Sequence, residues 1–191
     1  MKIEKLIYKV FYKGKKFALP ITVSVNVLLR EKVRVHSSRI LNPKSFSMLI
    51  GEYTHTVDDK NRLSLPAKFR AEMGKKIVLT RGLDRCVAIF TKKEWEKIAA
   101  KLSESSMLQA DSRSFNRFMF GGAVETEVDS IGRVLIPDFL KEWGSLGTKV
   151  VVIGVQNRVE IWNERAWEAN KETIEKQADT LAEKLGQVGV L

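Results

Sequence analysis

Twenty residues, Gly51–Arg70, align without gaps on Gly122–Lys141, 71 positions further along the chain. Gly51, Val57, Asp58, Arg62 and Pro66 recur as Gly122, Val128, Asp129, Arg133 and Pro137. A second block continues at an offset of 72, pairing Val78 with Val150, Gly82 with Gly154, Val87 with Val159, Ile89 with Ile161, Trp95 with Trp167 and Glu96 with Glu168. Asp, Arg, Pro and Trp recur in the same order, which marks an internal duplication. A copy of this size with short strands barely encloses a core of its own. Two copies packed as a pseudo-twofold pair solve that problem, so one polypeptide imitates a homodimer.

Each copy carries the same local signals. An alternating strand, Tyr53–Val57 or Val124–Val128, leads into a tight turn, Asp58–Asn61 or Asp129–Gly132. Asn61 and Gly132 close the turns, and Asn and Gly tolerate positive φ best. A strand follows, Arg62–Leu65 or Arg133–Ile136. Pro66 and Pro137 then suit the first position of a brief helix, which Gly74 or Gly144 ends. A further hairpin, Ile77–Thr80 to Val87–Phe90 or Lys149–Ile153 to Val159–Trp162, turns at Gly82–Arg85 or Gly154–Asn157. Each copy thus reads β-β-α-β-β, with a trailing helix containing Trp95 or Trp167. The expected class is mainly β with short helices, arranged as repeats over 52–97 and 123–168, a helical linker over 98–122 and a C-terminal helix and tail over 169–191.

Two helical faces stand out. Phe115, Phe118 and Met119 share one in the linker. Trp167, Ile174, Ala178, Leu181 and Leu185 form a single narrow seam near the C-terminus, suited either to packing on its own domain or to a neighbouring subunit.

Charge separates the first 47 residues from the rest. The formal net charge is +10, yet residues 1–48 hold 11 of the 33 Lys and Arg and only 2 of the 23 Asp and Glu. The remaining 22 basic and 21 acidic residues nearly cancel over 49–191. Within the basic segment, Ile3, Leu6, Ile7, Val10 and Phe11 fit a helical template, and Ile21, Val23, Val25 and Val27 alternate like a strand. A basic amphipathic helix suits a membrane surface, and a positive start before Phe17–Leu29 suits a degraded signal peptide. Pro20 and the polar interruptions weaken the second, and no small-x-small cleavage site follows. The expectation is a disordered basic extension over 1–47, or an assigned start that precedes the true one at Met48.

Enzyme chemistry finds little support. The single cysteine, Cys86, excludes an intramolecular disulfide or a cysteine-built zinc site, and two histidines leave little for a metal centre. Cys86 lies in an apolar strand without a catalytic partner. His55 sits on a strand as a packing or surface residue. Glu94/Glu96 and Glu125/Glu127 suit charged faces, and there is no glycine-rich phosphate loop. The expectation is a non-enzyme without cofactor, metal or small-molecule substrate. Arg62 and Arg133 each follow an acid by four residues. An Asp–Arg pair that pins the hairpin explains them, as does an aspartate that orients the hairpin while the arginine donates to phosphate or to guanine O6/N7.

Asp58-Asp59-Lys60-Asn61-Arg62-Leu63-Ser64-Leu65-Pro66, Asp129-Ser130-Ile131-Gly132-Arg133-Val134-Leu135-Ile136-Pro137 and Glu160-Ile161-Trp162 together resemble the MraZ family over residues 48–191. The resemblance implies a swapped-hairpin β-barrel of the AbrB/SpoVT/MazE group. It implies a sequence-specific transcriptional regulator, a repressor that binds double-stranded promoter DNA at direct repeats in its own division and cell-wall gene cluster. It further implies a ring oligomer larger than a dimer, in the cytoplasm and associated with the nucleoid, with no membrane contact. Its Asp-x-x-x-Arg motif falls on Asp58/Arg62 and Asp129/Arg133, so Arg62, Lys60 and Arg133 are the expected DNA contacts. Asp58, Asp129, Asn61, Gly132, Pro66 and Pro137 are the expected structural residues. This chain departs in having Asn61 where glycine is usual and Ile131 where the turn lysine is usual, which makes the first copy the stronger expected contact. Lys68 and Arg70 read as a solvated helix face. The competing reading is an antitoxin-like or protein-interaction module on the same scaffold, without specific DNA binding.

Overall fold

In the computed structural model, the described residues are 7–12, 15–20 and 48–190. The chain divides into two units, Met1–Ser45 and Phe46–Leu191. In the first, β1 (Ile7–Tyr12) and β2 (Lys15–Pro20) pair antiparallel, from Ile7 opposite Pro20 to Tyr12 opposite Lys15. The helix expected around Ile7–Phe11 is therefore a strand. Residues four apart share a face in both conformations, and the Ile, Tyr, Val and Phe content tips the balance toward the extended one. The strand expected over 21–27 lies outside the described residues.

The second unit begins with β3 (Leu49–Thr56), β4 (Arg62–Ser64), α1 (Ala67–Met73), β5 (Lys76–Arg81) and β6 (Val87–Thr91). Helices α2 (Lys92–Ser103) and α3 (Ala110–Gly121) follow. Then come β7 (Val124–Glu127), β8 (Arg133–Leu135), α4 (Asp138–Trp143), β9 (Lys149–Gln156), β10 (Arg158–Asn163) and α5 (Glu164–Gln187). The antiparallel sheet and the short helices α1 and α4 are as expected, but with α2, α3 and the 24-residue α5 the unit is a mixture of helix and strand rather than mainly β.

Strand pairing crosses between the copies. Six strands form one antiparallel sheet in the order β3-β9-β10-β6-β5-β7. Thus β3 of the first copy pairs with β9 of the second, and β7 of the second pairs with β5 of the first. The short strands β4 and β8 form a separate ribbon, again one from each copy. Hydrogen bonding does not close the six strands into a barrel: β3 and β7 are the two edges.

Four consecutive buried residues in β5 and in β6 show strands covered on both faces. One face of the sheet, with Ile77, Leu79, Val87, Ile89, Val150, Val152, Val159 and Ile161, joins Leu63, Val134, Phe69 and Leu140 in the main core. Burying each such side chain contributes about 1.5–3 kcal/mol. On the other face Phe90 meets Trp95, which meets Phe120, while Trp162 meets Trp167.

Two boundaries differ from expectation. Pro66 and Pro137 stand one residue outside their helices, with ψ of 138° and 145°, in the extended conformation that carries the chain off the ribbon. Gly154 is a strand residue rather than a turn residue. The turn is made by Gln156 and Asn157, since Arg158 already pairs with Val155. Gly154 lies so close to β3 that an added Cβ would be 2.6 Å from the Ile50 nitrogen. The helix ends fall where expected, at Gly74 with φ 71° and at Gly144, with Ser145 taking the left-handed conformation one place after Gly144.

The trailing helices begin at side-chain caps. The Glu94 N–H donates to Thr91 Oγ1, and the Ala166 N–H to Asn163 Oδ1. The second cap launches a 24-residue helix that carries the whole apolar seam. Beyond Lys171 every described residue of it is exposed, including Ile174, Leu181 and Leu185. Trp167 packs on Trp162, but the rest of the seam does not pack on its own domain. In α3, Met119 is buried but Phe115 and Phe120 are exposed.

Candidate nucleic-acid interface

Each turn is organised by its aspartate. Asp58 Oδ1 accepts from the backbone N–H groups of Lys60 and Arg62, at 3.0 and 2.8 Å. Asp58 Oδ2 accepts from Arg62 Nε at 2.8 Å and Nη2 at 2.7 Å. In the second copy Asp129 Oδ1 accepts from the N–H groups of Ile131 and Arg133, at 3.1 and 2.8 Å, and Oδ2 from Arg133 Nε at 2.8 Å. The fourth residue closes the loop in the left-handed region, Asn61 at φ 58° and Gly132 at φ 87°. These donors hold both carboxyls below the ordinary range, mainly the Arg62 side chain for Asp58 and the Arg133 N–H for Asp129.

The aspartates therefore fix the course of both arginines without consuming them. A guanidinium has five N–H donors. Asp58 and Asp129 engage one edge of each and leave donors on a part-exposed side chain.

The ribbon brings the two arginines together. Arg62 stands opposite Leu135, Leu63 opposite Val134 and Ser64 opposite Arg133. Leu63 and Val134 are equivalent in the two copies and fully buried, so the ribbon is centred on the internal twofold. The alternate positions, Arg62, Ser64, Arg133 and Leu135, share the outer face. Lys60 and Ile131 lie exposed in the turns at its two ends.

The copies also hold each other's turns. The Leu65 N–H donates to the Gly132 carbonyl at 3.0 Å, and the Ile136 N–H to the Asn61 carbonyl at 2.8 Å. Arg70 Nη1 donates to the Ile131 carbonyl at 2.9 Å. The equivalent cation, Lys141, donates to Asn61 Oδ1 at 2.6 Å, and Asn61 Nδ2 donates to Asp138 Oδ1. Asn61 is thus accommodated by its left-handed conformation and by two polar partners from the other copy. Pairing Arg70 with Lys141 at offset 71 is the sequence signal for this role, which a solvated-face reading of Arg70 misses. Lys68 is exposed.

The remaining polar candidates stand apart from the ribbon chemistry. Burial, helped by Arg70, lowers the pKa of His55. Burial pushes the Cys86 thiol up to about 12. Glu94 pairs with Lys97, Glu125 with Lys92 and Glu127 with Lys75. Among the described residues no three His, Cys, Asp or Glu side chains cluster as a metal site, and no helix is long and apolar enough to cross a membrane.

Fold and site together define a tandem-repeat protein whose copies exchange strands and present one arginine-bearing ribbon. The family described as "MraZ protein, putative antitoxin-like" matches twice, over residues 48–118 and 119–187. A protein of Caldicellulosiruptor saccharolyticus named "Transcriptional regulator MraZ" is 44% identical over 143 residues, which are 75% of this chain and all of the relative. A protein of the same name from Moorella thermoacetica is 46% identical over 138 residues, 72% of this chain and 96% of the relative. One from Thermoanaerobacter sp. strain X514 is 43% identical over 143 residues. The chain belongs to the MraZ family.

Proposed function

We propose that this protein is a sequence-specific DNA-binding regulator of transcription, a repressor that docks its β4–β8 ribbon on promoter DNA. The observation that carries the reading is the placement of Arg62 and Arg133 on one exposed ribbon face. The major groove of B-DNA admits a two-stranded ribbon, and arginine is its commonest reader of guanine O6 and N7. Lys60, at the tip of the first turn, adds a phosphate contact. The names of the relatives, regulators of transcription, support the same reading.

Residues 49–191 are nearly neutral, so each ribbon makes few phosphate contacts. Assembly into a ring larger than a dimer offsets this, because linked weak sites gain effective concentration on DNA carrying direct repeats. The exposed seam of α5 supports such assembly. The reciprocal pairing of β3 with β9 and β7 with β5 supports a swapped-hairpin architecture for the two repeats. The protein works in the cytoplasm, on the nucleoid, and is not an enzyme; the promoter is that of its own division and cell-wall gene cluster.

The deciding experiment measures salt-dependent binding to the DNA upstream of the protein's own gene, with and without Arg62→Ala. Loss of a bidentate base contact costs about 1–3 kcal/mol per site, and Arg133→Ala is expected to cost less because Ile131 replaces the turn lysine. Unchanged affinity in a folded Arg62→Ala variant refutes the site. Absence of binding by the parent protein favours a protein-interaction module instead.

A further inference from the structure

The outer face of the ribbon is symmetric in its arginines and asymmetric around them. At an offset of 71, Lys60 corresponds to Ile131 and Ser64 to Leu135. In both pairs the first copy presents a polar side chain and the second an aliphatic one. Ile131 is 60% exposed and Leu135 53% exposed. In order along the ribbon come Lys60, Arg62 beside Leu135, Ser64 beside Arg133, and Ile131. Leu135 therefore stands across the ribbon from Arg62, and Ile131 two residues before Arg133.

A single exposed aliphatic residue needs no explanation. Two of them flanking the ribbon arginines, each standing where the other copy has a polar residue, call for an apolar partner on the surface those arginines meet. In the major groove the apolar feature of a base edge is the 5-methyl group of thymine.

We propose that Ile131 and Leu135 are specificity-determining residues that pack against thymine 5-methyl groups beside the bases or phosphates met by Arg133 and Arg62. The inference rests on the DNA-binding reading above. It assigns the two ends of the ribbon different tasks: Lys60 anchors one end by charge, and Ile131 reads a methyl at the other. Leu135 reads a second methyl alongside Arg62.

The test couples a protein side chain to a DNA methyl. The full chain selects a duplex from a randomised pool, and each thymine of that duplex is then replaced singly by deoxyuridine. This removes the methyl and leaves the pairing edge intact. Affinities are measured for the parent protein, Ile131→Ala and Leu135→Ala, with circular dichroism confirming that the exposed substitutions leave the fold unchanged. At one or two positions uridine is expected to weaken the parent by about fourfold, the worth of one buried methyl. The same replacement is expected to leave affinity unchanged in the variant lacking its partner. Ile131→Lys, which restores the first copy's residue, loses the methyl preference and keeps overall affinity through phosphate. If no uridine position matters, or if the losses persist undiminished in both alanine variants, the inference falls while DNA binding stands. If the full chain enriches no duplex, both fall.

Discussion

Arg70 of the first repeat lies across Gly132 of the second: a Cβ on Gly132 would stand 2.1 Å from Arg70 Cδ. The close approach lets Arg70 Nη1 reach the Ile131 carbonyl. Gly132 is also left-handed, at φ 87°. Gly132→Ala therefore meets two penalties, a backbone cost of roughly 1–2 kcal/mol and displacement of Arg70. The midpoint of denaturant unfolding is expected to fall, and Arg70→Ala in the same chain to recover part of the loss. A double variant no more stable than the Gly132→Ala single would show that the contact is not responsible. At the equivalent position Asn61→Gly is expected to be far milder.

Acid should loosen the ribbon. Asp58 and Asp129 are held below the ordinary carboxylate range in the fold, so their contribution is complete above the unfolded value, about 3.9, and is lost as pH falls through the folded values. His55, lowered by burial and by Arg70, adds a loss that begins near pH ~6.5, because the unfolded chain takes up that proton first. Melting temperature followed from pH 7 to pH 3 checks both. An Asp58→Asn, Asp129→Asn chain should start lower at pH 7 and lose less below pH 4, and His55→Gln should flatten the upper part of the curve.

Cys86 should be inert. It is buried in the fold, and its thiol is pushed up to about 12, so almost no thiolate exists at pH 8. A disulfide reagent is expected to label it at the rate of unfolding and fully in denaturant. Fast labelling of the native protein would contradict the packing around it.

Legibility varied with the range of the interaction. The turns at Asn61 and Gly132, the alternating strands beside them and the β5–β6 and β9–β10 hairpins were readable, because each is decided within a few residues. The partners of β3 and β7 were not readable from alternation, which gives a strand's faces and not its neighbour. Gly154 was misplaced for the same reason: its requirement comes from Leu49 and Ile50, about a hundred positions away. Pro66 and Pro137 were off by one residue, since Pro fits the extended residue before a helix as well as its first turn. Around Ile7–Phe11 a spacing of four served both helix and strand. On the ribbon, attention to charge singled out Arg62 and Arg133 and passed over Ser64 and Leu135, which share their face.

Removal of residues 172–191 should separate folding from assembly. The described part of this segment is exposed throughout. A chain ending at Lys171 is expected to melt at about the parent temperature and to show a smaller molar mass by light scattering. A mass reduced only by the deleted residues would exclude the α5 seam as a contact between copies.

Removal of residues 1–47 should leave the repeats folded and the preferred DNA sequence unchanged. The segment, with 11 basic and 2 acidic residues, supplies nearly all of the chain's net charge of +10. Its deletion is expected to weaken binding to unrelated DNA and flatten the salt dependence, with each lost phosphate contact changing the log–log slope by about 0.9. A shifted sequence preference would show that the segment belongs to the recognition unit. Mass spectrometry of the native N-terminus shows whether it is retained in the cell.

The pairing of β4 with β8 joins two halves that a homodimer would encode once. In a homodimer every substitution strikes both half-sites together, so a change that improves one contact is forced on its mate. Tandem duplication lifts that constraint. Lys60 and Ile131, or Ser64 and Leu135, are free to follow separate histories while Leu63 and Val134 keep the seam between them shut. The fused chain can thus drift, one half at a time, toward a target whose two sides differ.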